Sequence, residues 1–161
     1  MRRLIWLLLA TATLPSMAQA EMVFSCQRYR SKCAGDECLT IANKLKLDTG
    51  RSMLTLVTPQ TITYRINDNK AQEVIEINGE EQRYPYEKTE SSESLITLSN
   101  LQPNGTLKEQ VTINLINGIY THYAIHNDGS IKDVPVGLPY RAWFGWCDRQ
   151  NTVPAPQGVT P

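Results

Sequence analysis

Histidine is scarce in this chain, two residues in 161, and after the first twenty residues no apolar run is long enough to cross a bilayer. Neither sign of charge is in surplus, with 16 basic residues against 16 acidic. Each shortage excludes something. Without a basic stripe, or a patch that interleaves aromatic with basic residues, nothing marks a nucleic-acid surface or a strong attraction to anionic lipid. No serine sits in a G-x-S-x-G turn and no glycine-rich loop is built to cradle phosphate. His122 and His126, four apart, would share one face of a strand but lie about 13 Å from each other, too far to hold one metal. The paired acids Asp36-Glu37 and Glu80-Glu81 fall in turns. Adjacency in a turn does not set two carboxylates across a cleft as glycoside hydrolysis requires. The expectation is therefore a non-enzyme with no cofactor and no metal.

What is present begins at the first residue. Met1-Arg2-Arg3, the apolar stretch Leu4–Ala10 and the exit Ala18-Gln19-Ala20 have the layout of a secretory signal over residues 1–20, cleaved before Glu21. A lipoprotein would need a cysteine at the cut and a small residue where Phe24 stands. Removing the leader leaves 141 residues, enough for one domain, with 14 basic residues against 16 acidic once Arg2 and Arg3 are gone. All four cysteines, Cys26, Cys33, Cys38 and Cys147, follow the cut and so enter an oxidising compartment, periplasmic or extracellular. Four cysteines allow three pairings. The most economical is Cys33–Cys38, closing a loop with Gly35-Asp36 at its centre, and Cys26–Cys147, joining the two ends. A redox or zinc role is disfavoured by the C-x4-C spacing and the lack of a second cysteine pair.

Hydrophobic periodicity reads as strand almost throughout. Candidate strands are Met22–Tyr29, Leu39–Leu47, Ser52–Thr58, Thr61–Ile66, Glu73–Ile77, Gln82–Tyr86, Ser94–Leu98, Leu107–Ile116, Ile119–Ile125 and Arg141–Cys147, although Glu37–Lys46 also has the start of a helical turn. Turn signals separate nearly all of them, among them Asn67-Asp68-Asn69, Asn78-Gly79, Pro103-Asn104-Gly105 and Asn117-Gly118. Asn104-Gly105-Thr106 also matches a glycosylation acceptor, but in this setting reads as a turn. Short connections predict an all-β antiparallel meander. A bridge from Cys26 to Cys147 would tie first strand to last, favouring a small up-and-down, lipocalin-like barrel over a two-sheet sandwich. The domain then spans 21–149, and 150–161, with Pro154, Pro156 and Pro161, reads as a disordered tail.

Two hairpins yield registers. A two-residue turn at Asn117-Gly118 would pair Leu115 with Tyr120 and Val111 with Ala124, putting Val111, Ile113, Tyr120, His122 and Ala124 on the inner face. At Asn78-Gly79 a two-residue turn would oppose Glu76 to Glu81, so a four-residue loop opposing Glu76 to Arg83 is preferred. The most distinctive segment is Tyr140–Trp146, which holds four of the eleven aromatics that follow the leader. Alternation puts Tyr140, Ala142, Phe144 and Trp146 on one face and Arg141, Trp143, Gly145 and Cys147 on the other. Aromatic rings on both faces fit a closing strand, with Phe144 and Trp146 inward. Trp143 beside Arg141 fits a recognition surface, with Tyr140 adjacent.

In having an early cysteine, a meander and a late cysteine, the plan resembles small periplasmic β-barrel modules, including the membrane-bound C-type lysozyme inhibitors. The resemblance implies the barrel architecture alone. The Ser-Gly-x-Arg-Tyr-type loop of those inhibitors and their lipid-attachment cysteine are absent, so no functional residue is carried over. The resulting expectation is an exported binding module that recognises a protein or glycan of the cell envelope through Arg141, Trp143 and Tyr140, without nucleic acid as a partner and without stable membrane insertion. The alternative is a lipocalin-like carrier whose cavity is lined by residues such as Ile113, Tyr120 and His122.

Overall fold

A computed structural model describes residues 21–31, 33–47 and 59–150. Eight antiparallel strands close into a barrel in simple meander order: β1 (Met22–Ser31), β2 (Gln60–Asn67), β3 (Lys70–Ile77), β4 (Glu80–Ser91), β5 (Leu95–Leu101), β6 (Leu107–Asn114), β7 (Ile119–Ile125) and β8 (Pro139–Gln150). Among the described residues one helix, α1 (Asp36–Leu47), lies between β1 and β2. The seam is β1 against β8, with Cys26 directly opposite Cys147. Those two cysteines are bonded, as are Cys33 and Cys38. Among the described residues no helix is long and apolar enough to cross a membrane. The signal segment 1–20, the candidate strand Ser52–Thr58 and the tail beyond Gln150 lie outside the described residues. Gln150 itself ends β8.

Paired residues on neighbouring strands share a face, so the register identifies the inner lining. Alternate positions of each strand fill it: Phe24 and Cys26 from β1, Ile62, Tyr64 and Ile66 from β2, Ala71 and Ile75 from β3, Tyr86 from β4, Ile96 and Leu98 from β5, Val111 and Ile113 from β6, Tyr120 from β7 and Cys147 from β8. Of these, Tyr64 and Tyr120 are wholly inaccessible. Gly145 of β8 leaves no room for a side chain, because a Cβ there would overlap the Gln27 carbonyl of β1. The glycine is what lets the two seam strands approach.

The segment Leu39–Leu47, read as a strand, is part of α1. Asp36 and Glu37 in its first turn complement the positive end of the helix. The amides of Glu37 and Cys38 bond back to the carbonyls of Ala34 and Gly35, beginning the helix inside the Cys33–Cys38 loop. One turn apart, Cys38 and Ile41 then cover Ala142 and Phe144 of β8. This inverts the expected facing of the aromatic run. Phe144 points outward and is buried beneath the helix, Trp146 packs edge-on against Tyr29 on the same outer face, and Trp143 and Cys147 belong to the interior cluster.

Both hairpin registers are corrected. At Asn78-Gly79 the loop has two residues, with Ile77 opposite Glu80 and Glu76 opposite Glu81. Asn78 and Gly79 both adopt positive φ (55° and 81°), the conformation of a tight type I′ turn, for which this dipeptide is suited. The like charges are tolerated because Arg83 pairs with Glu81 at 2.6 Å on an exposed surface. At Asn117-Gly118 the register is displaced by two residues, with Ile113 opposite Tyr120 and Val111 opposite His122. The Asn114 side chain accepts the amides of Ile116 and Asn117, and Gly118 N–H bonds to the Asn114 carbonyl, so the turn starts two residues earlier. A two-residue shift preserves facing, and Val111, Ile113, Tyr120, His122 and Ala124 are all inside.

Candidate functional site

Three charged residues stand in the inner rows where apolar side chains would be expected. Arg28 follows Phe24 and Cys26 along β1, Glu73 lies between Ala71 and Ile75 on β3, and Glu109 precedes Val111 and Ile113 on β6. His122 of β7 adds a fourth ionisable group. The four meet inside the barrel, surrounded by Tyr64, Tyr86, Tyr120 and Trp143.

Glu73 is the hub. It accepts a 2.6 Å hydrogen bond from Tyr64, lies 3.4 Å from the Tyr86 hydroxyl, and forms an ion pair with Arg28 at 3.2 Å. Arg28 continues to Gln60 at 2.7 Å and lies over the Trp143 ring. Tyr86 donates to Glu109 at 2.7 Å. His122 touches the Tyr120 hydroxyl with Nδ1 at 3.2 Å and the Tyr86 hydroxyl with Nε2 at 3.4 Å, and Tyr64 and Tyr120 are 3.1 Å apart. Its ring stacks on Trp143 with centroids 4.7 Å apart. The carboxylates of Glu73 and Glu109 lie within 4 Å of the two imidazole nitrogens.

Hydrogens can be counted through this network. Tyr64 gives its proton to Glu73 and Tyr86 gives its proton to Glu109, so each hydroxyl can only accept from its other neighbours. The Tyr120 hydroxyl is then left to donate to Tyr64, and both imidazole nitrogens of His122 face tyrosine hydroxyls. The Arg28 guanidinium sits against the Glu73 carboxylate, the kind of pairing under which buried charge is tolerable. Burial alone would raise the Glu109 carboxyl, but contact with His122 and the hydrogen bond from Tyr86 outweigh it and hold the group at about 2. Burial pushes the hydroxyls of Tyr64, Tyr86 and Tyr120 well above the usual phenol range, and the nearby Glu73 charge adds to this, so all three stay protonated donors.

The cavity residues named from the sequence are brought together in the barrel interior. Ile113, Tyr120 and His122 are buried. Among the described residues no group of three or more His, Cys, Asp or Glu is arranged to hold a metal. The surface residues divide. Arg141 is exposed and lies over the Tyr140 ring at 5.4 Å, whereas Trp143, two residues on, is half-buried over His122. The pair shares the inner row of β8, and Arg141 stands at the rim of the barrel above Trp143. His126, read as a solvated turn residue, is also buried. Its amide bonds to the Leu138 carbonyl, its carbonyl accepts from Gly137, and its ring meets Tyr140 edge-on, so it anchors the neck of the 126–138 loop.

The residues that sequence reasoning missed are Arg28, Glu73, Glu109, Tyr64 and Tyr86. A signal for three of them existed: each charge keeps the period-2 phase of its apolar neighbours. Comparisons of the chain with protein-family models, with curated proteins and with solved structures find no match to any of them.

Proposed function

We propose that the chain is an exported, non-catalytic β-barrel module that binds a protein or glycan of the cell envelope at the rim where β8 begins. The observation that carries this is that the polar groups around His122 are engaged with one another. His122, the side chain best suited to general-base work, spends both nitrogens on tyrosine hydroxyls and has 3% of its surface exposed. A substrate would have to displace the network to reach it. A carrier would need a hollow where Ile113 and Tyr120 are packed. The rim offers an exposed Arg141 lying over the Tyr140 ring, with the half-buried Trp143 two residues on. Two disulfides suit an oxidising compartment outside the cytoplasm.

The test is site-specific photo-cross-linking in the producing cell with a photoreactive residue at position 141. A discrete adduct is expected, and Trp143→Ala should remove it while the far-UV circular dichroism stays unchanged. Cross-linking that is equally strong in the Trp143→Ala background, or none at all, would overturn the site.

A further inference from the structure

β4 is twelve residues long, but it pairs with β5 only from Glu87 onward, through Glu87↔Ser99, Lys88↔Leu98, Glu90↔Thr97 and Ser91↔Ile96. Its first half, Glu80–Tyr86, pairs with β3 on one side and with no described strand on the other. Residues Glu80–Pro85 are all exposed. Pro85 accounts for where the seam parts, because it has no N–H to offer β5.

The two-residue turn determines which backbone groups face the free side. In such a hairpin Ile77 and Glu80 exchange ladder bonds, and so do the alternate pairs Ile75↔Gln82 and Glu73↔Tyr84. The N–H and C=O of Glu81 and Arg83, and the C=O of Pro85, therefore point away from the barrel's own ladder. Side chains on either side of the gap are apolar and open: Tyr84 is 39% exposed and Leu101 41%. Where the free edge meets β5, a recess of about 340 Å³ is lined by Pro85, Tyr86, Ser99, Asn100 and Leu101 among others.

We infer that the edge Glu81–Pro85 is a docking strand for an extended segment of a partner protein that alternates basic and apolar residues. The backbone supplies the ladder, as in other cases where a peptide adds to a sheet edge. Charge selects the occupant. Residues 70–93 hold seven glutamates against three basic residues. One glutamate, Glu73, is buried on Arg28, and Arg83 is occupied by Glu81. The exposed surplus is acidic, which attracts basic side chains and repels a second copy of the same edge. Apolar residues at alternate positions of the incoming strand would lie on Tyr84 and Leu101. This surface differs from the Arg141 rim, so the two proposals fail separately.

The probe is an end-blocked octapeptide of alternating valine and lysine, measured with the full chain by fluorescence anisotropy and by amide hydrogen exchange. Binding should slow exchange at Glu81 and Arg83 specifically. A valine–glutamate octapeptide, and a valine–lysine peptide with alternate amides methylated, should bind at least tenfold more weakly. Arg83→Pro removes an outward N–H without touching the β3 ladder and should weaken binding at least tenfold. If that variant misfolds, the Glu80→Lys/Glu81→Lys double variant serves instead and should reverse the preference between the two octapeptides. Equal binding of both octapeptides, an absence of protection at Glu81 and Arg83, or a dimer in sedimentation that excludes the peptide would overturn the inference.

Discussion

Replacing Glu73 with Ala tests the interior network at its hub. The carboxylate is 4% exposed and the Arg28 side chain it pairs with is 11% exposed, so solvent compensates neither after the change. The substitution leaves the guanidinium with Gln60 and the Trp143 face, and strips the 2.6 Å acceptor from the fully buried Tyr64 hydroxyl. Removing one partner of a buried pair costs about 3–5 kcal/mol, a large part of the roughly 5–15 kcal/mol that holds a domain of this size folded. Arg28→Met should cost a similar amount, because it leaves Glu73 charged and buried. Glu73→Leu combined with Arg28→Met removes both charges and should lie within about 2 kcal/mol of the wild type, far less than the two single losses together. Urea unfolding with the disulfides intact, followed by tryptophan fluorescence and circular dichroism, measures all the variants, and a constant m-value checks that the comparison is sound. A loss below about 1 kcal/mol for Glu73→Ala, or a double variant as unstable as the sum of the singles, would refute the claim that these charges depend on each other.

Acid should weaken the barrel through Glu109. Its folded-state value of about 2 lies below the ordinary 4.5, so its contribution is fully present above about pH 4.5 and is lost as pH falls toward 2. The side chain is 24% exposed, and after solvent screening the amount is about 1–2 kcal/mol, seen as a stability gap between wild type and Glu109→Gln at pH 6 that closes near pH 2. Gly145→Ala should cost at least about 3 kcal/mol, because the new methyl meets the Gln27 backbone rather than a flexible side chain, and hydrogen exchange should accelerate first along β1 and β8. Removing the Cys26–Cys147 bridge, which spans 121 residues, should cost about 5 kcal/mol against about 2 kcal/mol for the five-residue Cys33–Cys38 closure, measured by denaturation of the paired Cys→Ala variants.

The barrel was legible in the chain because its determinants are local: period-2 alternation, frequent turn dipeptides and two cysteines placed to join the first strand to the last. Residues 39–47 misled because Leu39 and Ile41 alternate like a strand, while the reason for a helix lies about a hundred residues away, in the outward Ala142 and Phe144 that need covering. The Asn117-Gly118 register slipped because the Asn114 side chain, not the Asn-Gly pair, organises the turn. At Asn78-Gly79 backbone geometry outweighed a like-charge contact that water and Arg83 make harmless. Of the site, the facing of His122, Tyr120 and Ile113 was readable from parity. Their acid and arginine neighbours arrive from β1, β3 and β6, and only the closed register brings them together.

A barrel filled by its own side chains retains no small molecule. Native mass spectrometry of the protein purified from its producing cell tests it most directly. The expected mass is that of the polypeptide less the hydrogens of two disulfides, with no small molecule retained under gentle ionisation. A stoichiometric added mass that survives mild activation and disappears on unfolding would show an occupied interior and contradict it.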